Sequence, residues 1–215
     1  NAGYYEISGS ANTAVGSSAG LGFDGDNQYA TAIGFNALST SGGAKDYTTI
    51  VGAYAAQLFT STSQTVVIGD RAAPGRGSAS DYTHTLSDMV IIGSRAMQYI
   101  HNPVSSVVIG AMAVNNTGRI EKSVVIGTQA GVYLGRATGS HTVMVGYDSG
   151  YNATGSYNTF VGSEAGKGGT TSAPFSSGKS NVAIGYQALD GFTTGEKNVA
   201  IGNSALGALT TATEN

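Results

Sequence analysis

Several features that would place this chain in a common functional class are missing from it. Cysteine is absent, so the chain can form neither disulfides nor a thiolate metal site. Its longest unbroken apolar runs are about four residues, as at 89–92, against the roughly 18 that a membrane span needs. We therefore expect no insertion into a membrane.

Charge is also scarce. Charged residues make up 11% of the chain, against about a quarter in typical proteins. The ten lysines and arginines are scattered, and the formal net charge is −3. Because binding to a phosphate backbone needs a basic stripe, nucleic acid is not an expected partner.

Glycine is abundant, at 33 of 215 residues, and it is periodic. A valine or isoleucine followed by glycine recurs about every seventeen residues, which indicates a repeat protein. We call these glycines the anchors and count positions from them, so that −2 lies two residues before an anchor. The eleven anchors are Gly16, Gly34, Gly52, Gly69, Gly93, Gly110, Gly127, Gly146, Gly162, Gly185 and Gly202.

The residues after each anchor follow a second rule. Position +3 is alanine in ten repeats and serine in one, and position +4 is always glycine or apolar. These two positions are expected to pack inside the coil. Positions +1 and +2 vary freely and are most often polar or aromatic, and we expect them to face water or form a turn.

This pattern predicts an all-β protein, a parallel β-solenoid (β-roll) of about eleven coils that forms a rod about 50 Å long. Each coil would contain a β-branched strand, a glycine corner, a second short strand around the small residue and a polar return loop. Residues 1–215 are interpreted as one repetitive segment. Ala2 and Gly3 fit positions +3 and +4 of a missing anchor, and Asn215 follows Asn198 by seventeen residues, so the segment is expected to be cut mid-repeat at both ends.

Both faces of the predicted strands are apolar. We assign positions −1 and −3 to the coil's own core, which leaves position −2 on the opposite face. A strand that is apolar on both faces must be covered on both, so we predict that position −2 contacts other copies of the chain in a homotrimer. The predicted interface includes Ile91, Val108, Val125, Met144 and Phe160.

The repeat resembles two related groups of proteins. The motifs NVAIG (181–185 and 198–202), NTAVG (12–16), NTFVG (158–162) and SVVIG (106–110 and 123–127) are similar to the β-roll head repeats of trimeric autotransporter adhesins and to the repeat region of bacteriophage tail fibres. The phage group fits better, because adhesin heads have shorter and more regular repeats. In this chain the period is longer, the insertions are irregular, and TTG or TTA precedes the next asparagine. The number three in the predicted homotrimer comes from this resemblance.

The resemblance implies a structural and adhesive role. We expect a segment of a trimeric phage tail fibre, located in the virion and extracellular, that projects and positions host-receptor binding. Its partners would be its own copies, other fibre or baseplate proteins, and a glycan or protein on the host surface. One alternative is the head domain of a bacterial surface adhesin, and a less favoured one is a polysaccharide-degrading tailspike.

The residues that could carry chemistry show no catalytic or metal-binding pattern. Asp24 and Asp26 lack the rest of a calcium loop, and His84, His101 and His141 lack the spacing of a zinc site. The carboxylates that could serve glycoside hydrolysis are Asp81, Asp88, Asp148 and Glu164, of which the last two are expected to stack as a solvent-facing pair. In GKGGTTS (166–172) the lysine precedes the glycines, unlike in a phosphate-binding loop. We predict no enzyme activity and no cofactor.

Two intervals between anchors are unusually long, with 24 residues from Gly69 to Gly93 and 23 from Gly162 to Gly185. In both intervals the extra residues follow position +4, so they are expected to leave the rod at the same edge. Loops on a rigid scaffold often carry binding residues. We predict that any contact with a receptor or partner uses this edge, through Arg76, Tyr82, His84 and Phe175.

Overall fold

The computed structural model describes residues 9–21, 23, 27–40, 44–75, 85–99, 103–115, 118–134, 141–169 and 175–215. These residues contain only short strands, turns and irregular segments, with no helix among them. The strands, in chain order, are β1 (Thr13–Val15), β2 (Thr31–Ile33), β3 (Lys45–Asp46), β4 (Thr49–Val51), β5 (Ser61–Ser63), β6 (Val66–Ile68), β7 (Thr85–Ser87), β8 (Val90–Ile92), β9 (Val107–Ile109), β10 (Val124–Ile126), β11 (Val143–Val145), β12 (Thr159–Val161), β13 (Val182–Ile184) and β14 (Val199–Ile201).

The strands that precede the anchors form one parallel sheet of eleven strands, in the order β1-β2-β4-β6-β8-β9-β10-β11-β12-β13-β14. The register aligns equivalent repeat positions, as when Val125 pairs with Val108 on one side and Met144 on the other. β3, β5 and β7 form a second, smaller parallel sheet. The protein is therefore an all-β parallel β-solenoid, as the repeat predicts.

The anchor glycines stack directly on one another, and this requires glycine. All eleven have φ between 122° and 143°, a range that L side chains rarely adopt. A Cβ at Gly127 would also overlap the carbonyl group of Gly146 in the next repeat. The predicted glycine corner is confirmed, and its cause is the close approach of successive backbones.

The segment after each anchor is a turn, so the second strand predicted around the small residue is wrong. Position +2 has φ between 48° and 58° in all eleven repeats, and position +4 is also left-handed. The second sheet instead uses residues that lie just before the main strand, such as Ser61–Ser63 and Thr85–Ser87.

The core of the coil contains positions −2, +3 and +4. At position +3, Ala130 is fully buried, as are the equivalent alanines of most other repeats, which confirms the predicted packing of the small residue. At position −2, the five residues assigned to the trimer interface, Ile91, Val108, Val125, Met144 and Phe160, are all fully buried within the single chain. That interface assignment is wrong, because these side chains already fill the coil's own interior.

The outer face of the main sheet is formed by positions −1 and −3, which sequence reasoning placed in the core. All twenty-two residues at these positions are valine, isoleucine or threonine, and each is exposed or half-buried. Val124 and Ile126, near the middle of the rod, are each 36% exposed on either side of the buried Val125. Strand alternation was predicted correctly, but the inward direction was reversed.

A ladder of polar side chains at position −4 runs beside the core. The side-chain oxygen of Asn181 accepts hydrogen bonds from the main-chain nitrogen and the side-chain nitrogen of Asn198, at 3.0 and 3.1 Å. Asn158 does the same for Asn181, and Asn198 for Asn215. Buried backbone donors need such partners, so the asparagine of the NVAIG motif connects one repeat to the next.

Substitution at position +3 tests this packing. Ala130→Leu is expected to lower the melting temperature clearly more than Gln129→Leu, because Ala130 is fully buried while Gln129 lies at the surface of the turn. Overpacking a core position costs roughly 1–3 kcal/mol. Thermal unfolding followed by circular dichroism measures both variants, and equal losses would contradict the inward placement of Ala130.

Candidate functional site

Two surface cavities are formed by residues in and just after the turns that follow the anchors. The Tyr54 cavity has a volume of about 400 Å³ and is lined by Tyr54, Gln57, Arg71, Pro74, Gly75, Gln98 and Tyr99. The Tyr151 cavity has a volume of about 370 Å³ and is lined by Gln129, Tyr133, Asp148, Tyr151, Asn152 and Lys167. Both volumes fall at the small end of the range typical of ligand sites.

An ion cluster forms one wall of the Tyr151 cavity. The Lys167 Nζ lies 3.2 Å from Asp148 Oδ2 and 3.4 Å from Glu164 Oε2, and Gln187 Nε2 donates to Glu164 Oε2 at 3.2 Å. Asp148 and Glu164 thus share one cation, and the Asp148 side chain is only 10% exposed. The expected solvent-facing carboxylate pair is corrected: Asp148 is buried, and Lys167 neutralises part of the charge.

One oxygen of this cluster has no hydrogen-bond partner. Asp148 Oδ1 is buried and accepts no hydrogen bond within the part of the chain that the structure describes. Buried polar atoms are usually satisfied, and each exception in a native structure calls for an explanation. The Asp148 carboxylate therefore has one oxygen paired with Lys167 and one enclosed oxygen without a hydrogen-bond partner among the described residues.

Two titrating groups of the Tyr151 cavity, Lys167 and Tyr151, are held in their hydrogen-bond-donating forms. Burial by itself would lower the pKa of Lys167, but the hydrogen bond to Asp148 and the charges of Asp148 and Glu164 outweigh it and raise that pKa above its usual value. Burial, with Tyr133 and Asp148 nearby, raises the pKa of the Tyr151 hydroxyl. Near neutral pH the cavity thus presents an ammonium group and a neutral phenol.

Aromatic rings pack around this cavity. Tyr133 and Tyr151 meet edge to face with ring centroids 5.6 Å apart, and Phe175 stacks on Tyr133 at 4.2 Å with an interplanar angle of 17°. Phe175, one of the predicted contact residues, therefore lies beside the cavity. The other three, Arg76, Tyr82 and His84, fall outside the described residues.

The Tyr54 cavity has a similar composition with a different charge pattern. Arg71 lies over the Tyr54 ring, its guanidinium carbon 5.2 Å from the ring centroid, and its Nη1 is 3.2 Å from Asp70 Oδ2. Phe35 packs edge to face against Tyr54 at 5.2 Å. A cation held over a ring and paired with a carboxylate leaves little net charge at this site.

The remaining candidates are dispersed. Asp88 is exposed and accepts a hydrogen bond from the Ser87 hydroxyl at 2.8 Å, and His141 stacks on the exposed Tyr157 at 5.2 Å. Asp24, Asp26, Asp81 and His101 lie outside the described residues. Among the residues that are described, no group of three histidines or carboxylates could hold a metal ion, and no helix is long and apolar enough to span a membrane.

Sequence reasoning missed most of the residues that line the cavities. The predicted contact residues did not include Tyr99, Tyr133 or Tyr151. A signal was present, because all thirteen lining residues occupy positions +2, +5 or +6 of their repeats. Aligning the repeats beyond position +4 would have placed these residues on one edge.

The function of these residues has to be inferred from their chemistry. The tyrosines, carboxamides and ion cluster lie on the edge of the coil, where packing of the core does not require them. Comparison of the chain with protein-family models, with curated proteins and with solved structures finds no match.

Proposed function

We propose that the chain is a structural and adhesive segment of a homotrimeric bacteriophage tail fibre. It is a rod of about eleven coils that projects and positions host-receptor binding. The observation that supports self-association is the outer face of the main sheet. The phage origin and the number three rest on the resemblance of the NVAIG and NTAVG repeats to tail-fibre repeats.

The outer face is a continuous apolar stripe. Its eleven strands at about 4.8 Å spacing give a length of about 48 Å, two side chains wide. Every position on it is β-branched and uncharged, and exposure reaches 55% at Val199 and 67% at Ile201. Parallel sheets are normally covered on both faces, and soluble monomers seldom expose long contiguous apolar patches.

In the proposed trimer, three such faces meet around a common axis. This arrangement buries positions −1 and −3 and leaves the turns after the anchors on the outside, accessible to partners. The partners are other fibre or baseplate proteins and a glycan or protein of the host surface. A fibre of this kind belongs to the virion and acts outside the host cell.

The enzymatic alternative has little support from the residues. Asp148 and Glu164, the pair considered for glycoside hydrolysis, both bind Lys167. A hydrolase of that class needs one carboxylic acid that donates a proton and one carboxylate that stays ionised. Because both carboxylates are engaged by the same lysine, we propose no catalytic role for them.

The trimer is tested with substitutions on opposite faces of β10. The wild type is expected to sediment as a trimer. Replacing Val124 and Ile126 together with aspartate is expected to give a monomer that retains its β circular dichroism, because those side chains point out of the coil. Val125→Asp instead buries an unpaired charge in the coil's own core and is expected to unfold it, at a cost of several kcal/mol. A wild type that sediments as a monomer would refute the proposal.

The phage assignment needs a separate test, because an adhesin head would also be trimeric. The gene is expected to lie among genes for virion proteins. An outer-membrane anchor encoded in the same reading frame would instead favour the head domain of a bacterial trimeric autotransporter adhesin. Sequencing the surrounding DNA distinguishes the two.

A further inference from the structure

The two cavities are equivalent sites in the repeat. Each spans three consecutive repeats: those of Gly52, Gly69 and Gly93 for the Tyr54 cavity, and those of Gly127, Gly146 and Gly162 for the Tyr151 cavity. In both, the lining residues come only from positions +2, +5 and +6. We call the surface formed by these positions the cavity edge.

The two cavities share a chemical composition. Each contains two tyrosines, two carboxamide side chains and one cation. The carboxamides are Gln57 and Gln98 in one cavity and Gln129 and Asn152 in the other. Because positions +2, +5 and +6 vary widely among the repeats, the core does not dictate this combination.

The charges of the cavities argue against ionic ligands. In the Tyr151 cavity, Asp148 and Glu164 outnumber Lys167, which disfavours a phosphate or sulfate group. In the Tyr54 cavity, Arg71 is already paired with Asp70. The described residues provide no metal-ligand cluster, and both cavities are open to solvent, unlike the enclosed pockets that bind apolar cofactors.

An uncharged, hydroxyl-rich ligand matches what remains. Tyrosine rings are amphipathic and pack against the apolar C–H faces of a sugar ring. Carboxamides both donate and accept hydrogen bonds, as sugar hydroxyls do. The ammonium group of Lys167 and the neutral hydroxyl of Tyr151 supply hydrogen-bond donors at the wall of the Tyr151 cavity.

We propose that the cavity edge is a saccharide-binding surface with two equivalent subsites for an uncharged polysaccharide. The central repeats of the two cavities, those of Gly69 and Gly146, are four strand spacings apart, or about 19 Å. One extended glycan chain running along the rod can therefore occupy both subsites. Gly75 and Lys167, which line the two subsites, lie near the start of the two long intervals between anchors. The subsites are therefore on the same edge of the rod that the long intervals predict as a contact surface.

The proposal does not depend on trimer formation, because the glycine corner separates the cavity edge from the outer face of the sheet. The test uses the whole chain and a panel of linear oligosaccharides of glucose, galactose, mannose and their N-acetylamino forms, with sulfated and uronic-acid chains as the charged arm. Saturation-transfer NMR at millimolar sugar detects binding, and titration calorimetry measures affinity. At least one uncharged oligosaccharide is expected to bind.

Paired variants locate the binding. Tyr99→Ala combined with Tyr151→Ala, one residue from each cavity, is expected to weaken binding at least about tenfold. The corresponding phenylalanine variant keeps the rings and is expected to retain most of the affinity. Tyr157→Ala combined with Tyr186→Ala, which removes exposed rings outside both cavities, is expected to bind like the wild type, and circular dichroism checks that each variant is folded.

Three results would overturn the proposal: no uncharged oligosaccharide binds, only the charged chains bind, or the Tyr99 and Tyr151 alanine variant binds as tightly as the wild type. Sedimentation of the same samples reports separately on the trimer. A failure of sugar binding is thus distinguishable from a failure of the proposed fibre.

Discussion

Gly127→Ala is expected to destabilise the solenoid strongly, although it adds only one methyl group. Gly127 has a φ of 143°, and a Cβ there would overlap the carbonyl group of Gly146. The unfavourable φ alone costs about 1–3 kcal/mol, and separating two backbones in the middle of a parallel ladder adds to that. We expect a loss of more than about 3 kcal/mol, measured by urea unfolding.

Gly131→Ala, four residues later in the same repeat, is the matched control. Gly131 has a φ of 58°, and the equivalent positions carry Ala56 and Ala73 in left-handed conformations. The nearest atom to a new Cβ is the flexible Met144 Sδ, at 3.1 Å. This variant is expected to lose little stability, and comparable losses in the two variants would show that stacking of the anchors does not determine stability.

The repeat made the fold predictable because its constraints are local and occur in every coil. In every repeat a glycine follows a β-branched residue and allows the close approach of successive backbones. Three positions later a small residue, alanine in ten repeats and serine in one, fits the narrow interior. Period-two alternation was also predictable for strands such as Val124–Ile126. None of these patterns by itself says which face points inward.

The inward direction was nevertheless encoded in compensating volumes. In the repeats of Met144 and Phe160, which carry long side chains at position −2, position +4 is glycine, and a Cβ at Gly166 would overlap the Phe160 ring. Where position −2 is alanine, as in Ala183, position +4 is often leucine, as in Leu189. When a larger side chain at one position is accompanied by a smaller one at another, the two positions fill the same close-packed interior space. Position −2 therefore belongs to the core together with position +4.

The cavities were harder to predict because their residues come from three repeats each. Tyr133, Asp148 and Lys167 are 15 and 19 residues apart in sequence, and only stacking brings them together. The burial of Asp148 was unpredictable from composition, since it depends on the ion pair with Lys167 and on the left-handed turn at position +2. Sequence spacing suggested a surface pair because it carries no information on neighbouring turns.

The asparagine ladder provides the second large effect. Asn181→Leu keeps the number and branching of the side-chain heavy atoms but removes every polar atom of a fully buried side chain. The main-chain nitrogen of Asn198 loses its acceptor at 3.0 Å, and the carbonyl of Gly195 loses a donor at 2.9 Å. Each unsatisfied buried group costs about 1–3 kcal/mol, so for these two groups we expect a loss of about 2–6 kcal/mol in urea unfolding and faster hydrogen exchange at the Asn198 amide.

Asn181→Ser distinguishes a lost hydrogen bond from a general disturbance of the core. Serine already occupies the ladder at Ser106, where its hydroxyl oxygen accepts from the main-chain nitrogen of Ser123 at 3.1 Å. At position 181 a serine therefore keeps an acceptor for the next repeat, although it is shorter than asparagine and loses the bond to Gly195. We expect Asn181→Ser to retain clearly more stability and slower exchange at the Asn198 amide than Asn181→Leu. If the two variants are equally unstable, packing volume rather than the hydrogen-bonded ladder holds successive repeats together at position −4.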